Sequence, residues 1–210
     1  METIARALFQ SSERMAHLAD GSVDLVVTSP PYPMVGLWDA HFAARCARVA
    51  DALGRGEGEA AFARMHELLD PVWAEVVRVL RPGGIACVNV GDAVRTLGGD
   101  FRLYANHARV LERLCALGLT PLPDVLWRKP TNAPSKFLGS GMLPAGAYVT
   151  YEHEYILIAR KGGLRRFRTA GERLLRRQSA FFWEERNRWF SDIWADLKGT
   201  VGIEMRRALL

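Results

Sequence analysis

Two hydrophobic periods alternate along the 210 residues. Val23 to Val27 is mostly β-branched and apolar, the pattern of a strand buried on both faces, and Pro30 and Pro31 forbid it to continue in a ladder. The chain must therefore leave the sheet at Ser29. Ile85 to Val90 repeats the apolar run, and further strands are expected around Pro123 to Trp127 and from Tyr148 to Ala159. Helical spacing fills the intervals. Phe62, Met65, Leu69, Val72, Trp73, Val76 and Leu80 predict a helix of about 20 residues, with Asp70 and Pro71 as an internal cap and first-turn proline that kink or restart it. Arg81-Pro82-Gly83-Gly84 stops it. A second helix is expected from about Tyr104 to Leu117, capped by Gly118. Phe42, Cys46, Val49 and Leu53 keep helical spacing in a mixed stretch that ends in a glycine turn, Gly54 to Gly58. At the N-terminus Ile4 to Phe9 reads as a first strand, and Ser12 as the N-cap of a short helix with Met15 and Leu18 inward. Helix–turn–strand units in this order specify a mostly parallel α/β sheet.

At 49% hydrophobic the chain can bury one full core, and no shift in composition marks a second domain. No apolar stretch approaches the roughly 18 residues that cross a bilayer. The N-terminus lacks the apolar core of a signal peptide, so a cytoplasmic protein without a membrane partner is expected. Cys46, Cys87 and Cys115 are odd in number and far apart, which implies neither disulfides nor zinc; all three read as small buried hydrophobes. Strand alternation sends Glu152 and Glu154 to one face and His153 to the other, so these residues alone form no metal site, and no metal is expected.

The chemistry lies where the first apolar strand stops. Ser29-Pro30-Pro31-Tyr32 falls beyond the carboxyl end of a strand, where open α/β sheets bind ligands. Consecutive prolines fix φ near −65°, so the carbonyls of Ser29 and Pro30 form a rigid row of acceptors. A hydroxyl, two fixed carbonyls and an aromatic ring suit hydrogen bonds from an exocyclic amine, with Tyr32 stacked on the ring that carries it. Asp39 either hydrogen-bonds such a base or caps the next helix.

Ser-Pro-Pro-Tyr resembles the catalytic signature of the amino-methylating DNA methyltransferases, in the form typical of cytosine-N4 enzymes. Arg78 to Gly84 resembles that family's helix end and glycine turn, Val88-Asn89-Val90-Gly91-Asp92 its next strand, and Trp127 to Pro130 with Tyr151 to Leu157 its closing strand pair. Phe190-Ser191-Asp192-Ile193-Trp194 is similar to the segment after the recognition region in the permuted group, whose catalytic motif precedes its cofactor motif. The resemblance implies an incomplete Rossmann-like methyltransferase sheet, mostly parallel with an antiparallel closing strand. It implies catalytic roles for Ser29, Pro30, Pro31 and Tyr32, and S-adenosyl-L-methionine as cofactor, held in part by Ser11, Ser29 and Pro30. Ser11 stands where members often carry an acidic residue near the cofactor's adenine.

Charge adds the macromolecular partner. Between Arg160 and Arg188 ten arginines and lysines face three glutamates, an excess of +7 in 29 residues that exceeds the +5 of the whole chain. Phe167, Phe181, Phe182, Trp183, Trp189 and Phe190 are interleaved with them, a pattern that serves phosphate contact and base stacking, or else a solvated helical face beside a core stripe. Arg165, Arg166, Arg168, Arg176 and Arg177 are the expected contacts to double-stranded DNA. Residues 1–159 are then the catalytic part, 160–190 the recognition segment, and 191–210 the start of a C-terminal part.

The family's Phe-x-Gly-x-Gly cofactor turn has no counterpart in this sequence. Gly139-Ser140-Gly141 lacks a preceding apolar strand and does not replace it. Three expectations stay open: an enzyme methylating cytosine N4 or adenine N6, a non-catalytic DNA-binding fragment, or one half of a split enzyme whose partner chain supplies the glycine turn.

Overall fold

The computed structural model describes residues 4–129, 138–140 and 142–197. Pro130, Gly141 and the C-terminal run after residue 197, all named above, lie outside them. A sheet is built from β1 (Val23–Thr28), β2 (Leu80–Val90), β5 (Leu119–Pro121), β6 (Val125–Arg128), β9 (His153–Lys161) and β10 (Ile193–Trp194). Two small hairpins stand apart, β3 (Ala93–Leu97) with β4 (Asp100–Tyr104), and β7 (Leu138–Gly139) with β8 (Ala147–Tyr148). Helices are α1 (Asp39–Arg45), α2 (Ala47–Gly54), α3 (Gly58–Val79), α4 (Asn106–Ala116), α5 (Ala170–Gln178) and α6 (Trp183–Trp189).

The sheet order is β1-β2-β9-β6-β10, with β5 also on β9. β1 runs parallel to β2 and β10 parallel to β6, while β9 is antiparallel to β2, β5 and β6. The mostly parallel α/β sheet with an antiparallel closing strand is therefore as expected, and that strand, β9, lies between β2 and β6. β10 brings Ile193 and Trp194 into that same sheet.

Several local expectations are corrected. Residues 4–9 form no strand and Ser12 caps no helix. The segment is held instead by α3: Arg78 donates to the carbonyls of Met15 and Leu18 and pairs with Asp20 and Glu75, and Glu75 accepts from the Met15 amide. α3 continues through Pro71 without a restart. Asp70 does not cap it; its carboxylate faces Arg109 and Arg113 of α4 at 3.2 and 3.3 Å. β2 starts at Leu80, and Arg81 to Gly84 form an irregularity within it, because Val23 pairs with Leu80 but Leu25 already with Ile85. Gly83 permits this: its φ is +83°, and a Cβ there would lie 2.7 Å from the Arg165 amide nitrogen. The strand expected from Tyr148 to Ala159 is two, β8 and β9.

The core is one-sided. Ala86, Val88, Val90, Leu157 and Ala159 are buried in one cluster with Phe42, Val49, Met65, Trp73, Val110 and Leu114 of α1 to α4. The alternate residues Ile85, Cys87, Ile156 and Ile158 are half-buried, and Leu25 and Val27 on β1 are 54% and 73% exposed. β1 is thus not covered on both faces, and among the described residues it is a free sheet edge. Cys87 is half-buried on that face, Cys46 is half-buried at the α1–α2 break, and Cys115 is exposed, so the expectation of three buried thiols fails.

Candidate active site

β1 ends at Thr28, and the next residues leave the sheet as the prolines require. Ser29 is exposed at the carboxyl end of the strand, Pro30 is buried, and Pro31 and Tyr32 are half-buried. Among the described residues, the carbonyls of Ser29 and Pro30 accept no hydrogen bond.

The loop is clamped from beneath. Pro33 and Met34 are buried, and Met34 adopts φ +65°, a left-handed conformation that non-glycine residues seldom occupy. Its amide lies 3.3 Å from the sulfur of Met65. Asn106, at the start of α4 and fully buried, donates through Nδ2 to the carbonyls of Pro33 and Gly91, both at 2.9 Å. That fixes its Oδ1 as acceptor from His66 Nε2 at 3.0 Å. Burial holds His66 well below the ordinary histidine range, at about 4, so the ring is neutral. The motif loop, the end of β2 and α3 are tied together through one side-chain amide.

Tyr32 is held from the side. Its hydroxyl lies 2.9 Å from Ser29 Oγ, 2.8 Å from Asn89 Nδ2 on β2 and 3.1 Å from Glu154 Oε2 on β9. Glu154 also accepts from Asn89 Nδ2 at 2.8 Å and pairs through Oε1 with Lys129 Nζ at 2.7 Å. Lys129 and Glu154 are 8% and 7% exposed, and the Lys129 ammonium lies 4.5 Å from the Trp127 ring centre. Burial first, then the Glu154 charge, raises the Tyr32 phenol far above the usual tyrosine range. The ring lies close over Gly91, where a Cβ would come 3.2 Å from it and 3.1 Å from Glu154 Cγ, so a side chain there would push on both by a few tenths of an ångström.

The other expected site residues fall elsewhere. Asp39 neither caps a helix nor stays free, because it is the first residue of α1 and pairs with Arg95 at 2.8 Å. Ser11 is exposed in the N-terminal segment, accepting from the Glu13 amide. Arg165 pairs with Asp24 at 2.6 Å, near the start of β1, five residues before Ser29; at strand rise that is about 17 Å away. A cavity of about 430 Å³ there is lined by Arg81, Arg165, Arg166, Arg168 and Glu172. Arg165 and Arg176 flank the ring of Phe167 at 5.1 and 4.8 Å, and Arg177 follows in the last turn of α5. Neither α5 nor α6 has a buried residue, so the aromatics from Phe181 to Phe190 are no core stripe.

A second polar pair sits at the end of β2. Buried Asp92 accepts from the amide and Nδ1 of His107 at 3.0 and 2.7 Å, and the His107 ring stacks on Tyr155 at 3.9 Å. Among the described residues, no group of three or more histidine, cysteine or acidic side chains could hold a metal ion, and no helix is long and apolar enough to cross a membrane.

Comparison with known proteins bears on this arrangement. Residues 23–204 match the model of the N6/N4 family described as DNA methylase. The Type II methyltransferase M.MthZI of Methanothermobacter thermautotrophicus is 52% identical over 200 residues, which span 95% of this chain and 56% of that protein. M.MjaI of Methanocaldococcus jannaschii, also a Type II methyltransferase, is 46% identical over 217 residues, 97% of this chain and 71% of that protein. A Thermus thermophilus protein assigned as a DNA modification methylase, solved with S-adenosyl-L-methionine, superposes with a TM-score of 0.66 at 30% identity over 95% of this chain and 70% of that one. PvuII DNA methyltransferase, cytosine-N4-specific, shares the fold at a TM-score of 0.53 and 16% identity, over 87% and 52% of the two chains. The chain thus spans little more than half the length of M.MthZI.

Proposed function

The chain belongs to the N6/N4 DNA methylase family, and on that premise we propose that it is the catalytic part of a site-specific DNA methyltransferase acting on the exocyclic N4 amine of cytosine. One observation carries this: the Ser29 hydroxyl and the carbonyls of Ser29 and Pro30, which accept no hydrogen bond among the described residues, stand at the carboxyl end of β1 on a loop clamped by Asn106. S-Adenosyl-L-methionine, when bound, supplies an electrophilic methyl group. The chain's residues manage the amine. Its nitrogen is a poor nucleophile because the lone pair is delocalised into the ring; N–H bonds to Ser29 and to the Pro30 carbonyl favour a tetrahedral nitrogen with its lone pair directed outward. Tyr32 stacks on the flipped base, worth about 1–3 kcal/mol. Arg165, Arg166, Arg168, Arg176 and Arg177 contact phosphates away from the flipped base. Cytosine is favoured over adenine N6 because position 29 is serine.

On the cofactor's side the fit is partial: Ser11 and Ser29 are exposed and Pro30 is buried, the cavities of about 370 and 430 Å³ lie away from Ser29, and among the described residues β1 is a free sheet edge. That edge favours a further reading, in which additional polypeptide, in a partner chain, completes the cofactor site. The test uses the purified chain with methyl-labelled S-adenosyl-L-methionine at millimolar concentration, to fill a weak site, and mixed-sequence duplex DNA. N4-methylcytosine is expected among the digested nucleosides, and little of it with Ser29→Ala. N6-methyladenine would reassign the base. DNA binding without label in either nucleoside supports the non-catalytic reading instead.

A further inference from the structure

The hydrogen bonds behind Ser29 have a direction, and it follows from the buried ion pair. Glu154 receives the Lys129 ammonium at 2.7 Å, with both side chains about nine-tenths buried, so it is a carboxylate and can only accept. Asn89 must then turn its amide nitrogen toward it, and that nitrogen, at 2.8 Å from both, supplies one proton to Glu154 and the other to the Tyr32 oxygen. Tyr32 has a single proton, and Glu154 Oε2 takes it at 3.1 Å. The remaining lone pair of Tyr32 faces Ser29 Oγ at 2.9 Å, so the serine hydroxyl donates inward.

Resting on the proposed function, we infer that Lys129 and Glu154 are positioning residues that act through Tyr32 to hold Ser29 as an acceptor toward the substrate. With its proton spent on Tyr32, the Ser29 oxygen presents only lone pairs at the end of β1. The site then selects bases by an N–H donor: an exocyclic amine satisfies it, whereas a carbonyl oxygen in the same place meets lone pairs on both sides. The chemical class selected is the aminopurine or aminopyrimidine edge, and oxo bases are rejected before any chemistry.

Glu154→Gln keeps the shape and removes the charge that orients the relay. Two measurements on the full chain separate orientation from mere support. In the first, tyrosinate absorbance is followed against pH, with Tyr32→Phe subtracted to isolate one phenol; Lys129, Glu154, Asn89 and Ser29 are the groups facing it. Removing the Glu154 charge should bring the onset of that phenol's ionisation to lower pH while circular dichroism still shows a folded chain. An onset that stays where the parent's is, at pH values where both are folded, overturns the relay, whether or not the chain methylates DNA. In the second, Glu154→Gln should lower kcat for methylation on the order of tenfold, the scale of one hydrogen bond to a charged group, with KM for DNA nearly unchanged. In a Tyr32→Phe background it should have little further effect, because the relay is already cut. Losses that multiply in the double variant would assign the ion pair a supporting role only. Should Glu154→Gln leave Lys129 too poorly paired to fold, Lys129→Met with Glu154→Gln removes both charges and answers the same question. If the parent methylates nothing, the proposed function fails while the titration still decides the relay.

Discussion

His66 carries a measurable consequence of its burial. It is 1% exposed, neutral, and donates to Asn106, the amide that clamps the motif loop. Its folded value of about 4 lies below the ordinary 6.5 of the unfolded chain. Between those values the unfolded state binds the extra proton, so stability is lost as pH falls from 6.5 toward 4, by up to about 3 kcal/mol. Urea midpoints across that window should fall for the parent and fall less for His66→Gln, which keeps a donor to Asn106 but does not titrate; equal falls would mean the ring is not the sensor. At this scale the sequence is partly legible. Ser29 to Tyr32 announces itself because prolines end an apolar strand. Its partners do not: Asn89 is 57 residues from Tyr32 and Glu154 is 122, and neighbours across a sheet leave no local spacing. Alternation does separate Glu154 from His153. The further signal is an acidic residue in a strand that continues Tyr155-Ile156-Leu157, a placement that costs free energy unless a partner such as Lys129 is near.

Elements are most legible where hydrophobic period and length agree. β1, α3 and α4 follow their apolar spacing, whereas Pro71 misleads because tertiary packing of Met65, Leu69, Trp73 and Val76 holds one helix together on both sides of it. The β3–β4 hairpin is absent from the expectations although Gly98-Gly99 stands between alternating runs, a direct hairpin signal. α5 is absent from them too, despite Thr169 and Glu172 at capping-box spacing, which the structure closes reciprocally. Helices in that region change how the basic segment is tested. Arg165 is committed to Asp24 and Phe167, so Arg166, Arg168 and Arg177 are the cleaner probes. Each phosphate neutralised contributes about −0.9 to the slope of log affinity against log salt. Reversing the three charges should flatten the slope by up to about 2.7. Parallel salt titrations that superimpose for parent and variant would leave α5 as a solvated face.

Among the described residues, α1 to α4 pack in one cluster against one face of the sheet. Parallel sheets are normally covered on both faces, so the half-buried row from Ile85 to Ile158 and the edge at β1 mark where the sequence pattern asks for more than the described residues supply. For the isolated chain, affinity for S-adenosyl-L-methionine should accordingly be much weaker than for a complete family member, and calorimetric titration is the measurement; micromolar binding by the chain alone would contradict it. The same edge has a consequence for solubility. An apolar strand whose outer amides are unpaired, as those of β1 are among the described residues, is a template for stacking identical copies, and β1 carries a single charged side chain, Asp24, paired with Arg81 and Arg165 at 3.2 and 2.6 Å. Any copy arriving edge to edge must strip water from that triad. Removing the Asp24 charge is therefore expected to lower the concentration at which the chain stays in solution, which light scattering of parent and Asp24→Asn at matched concentrations would read.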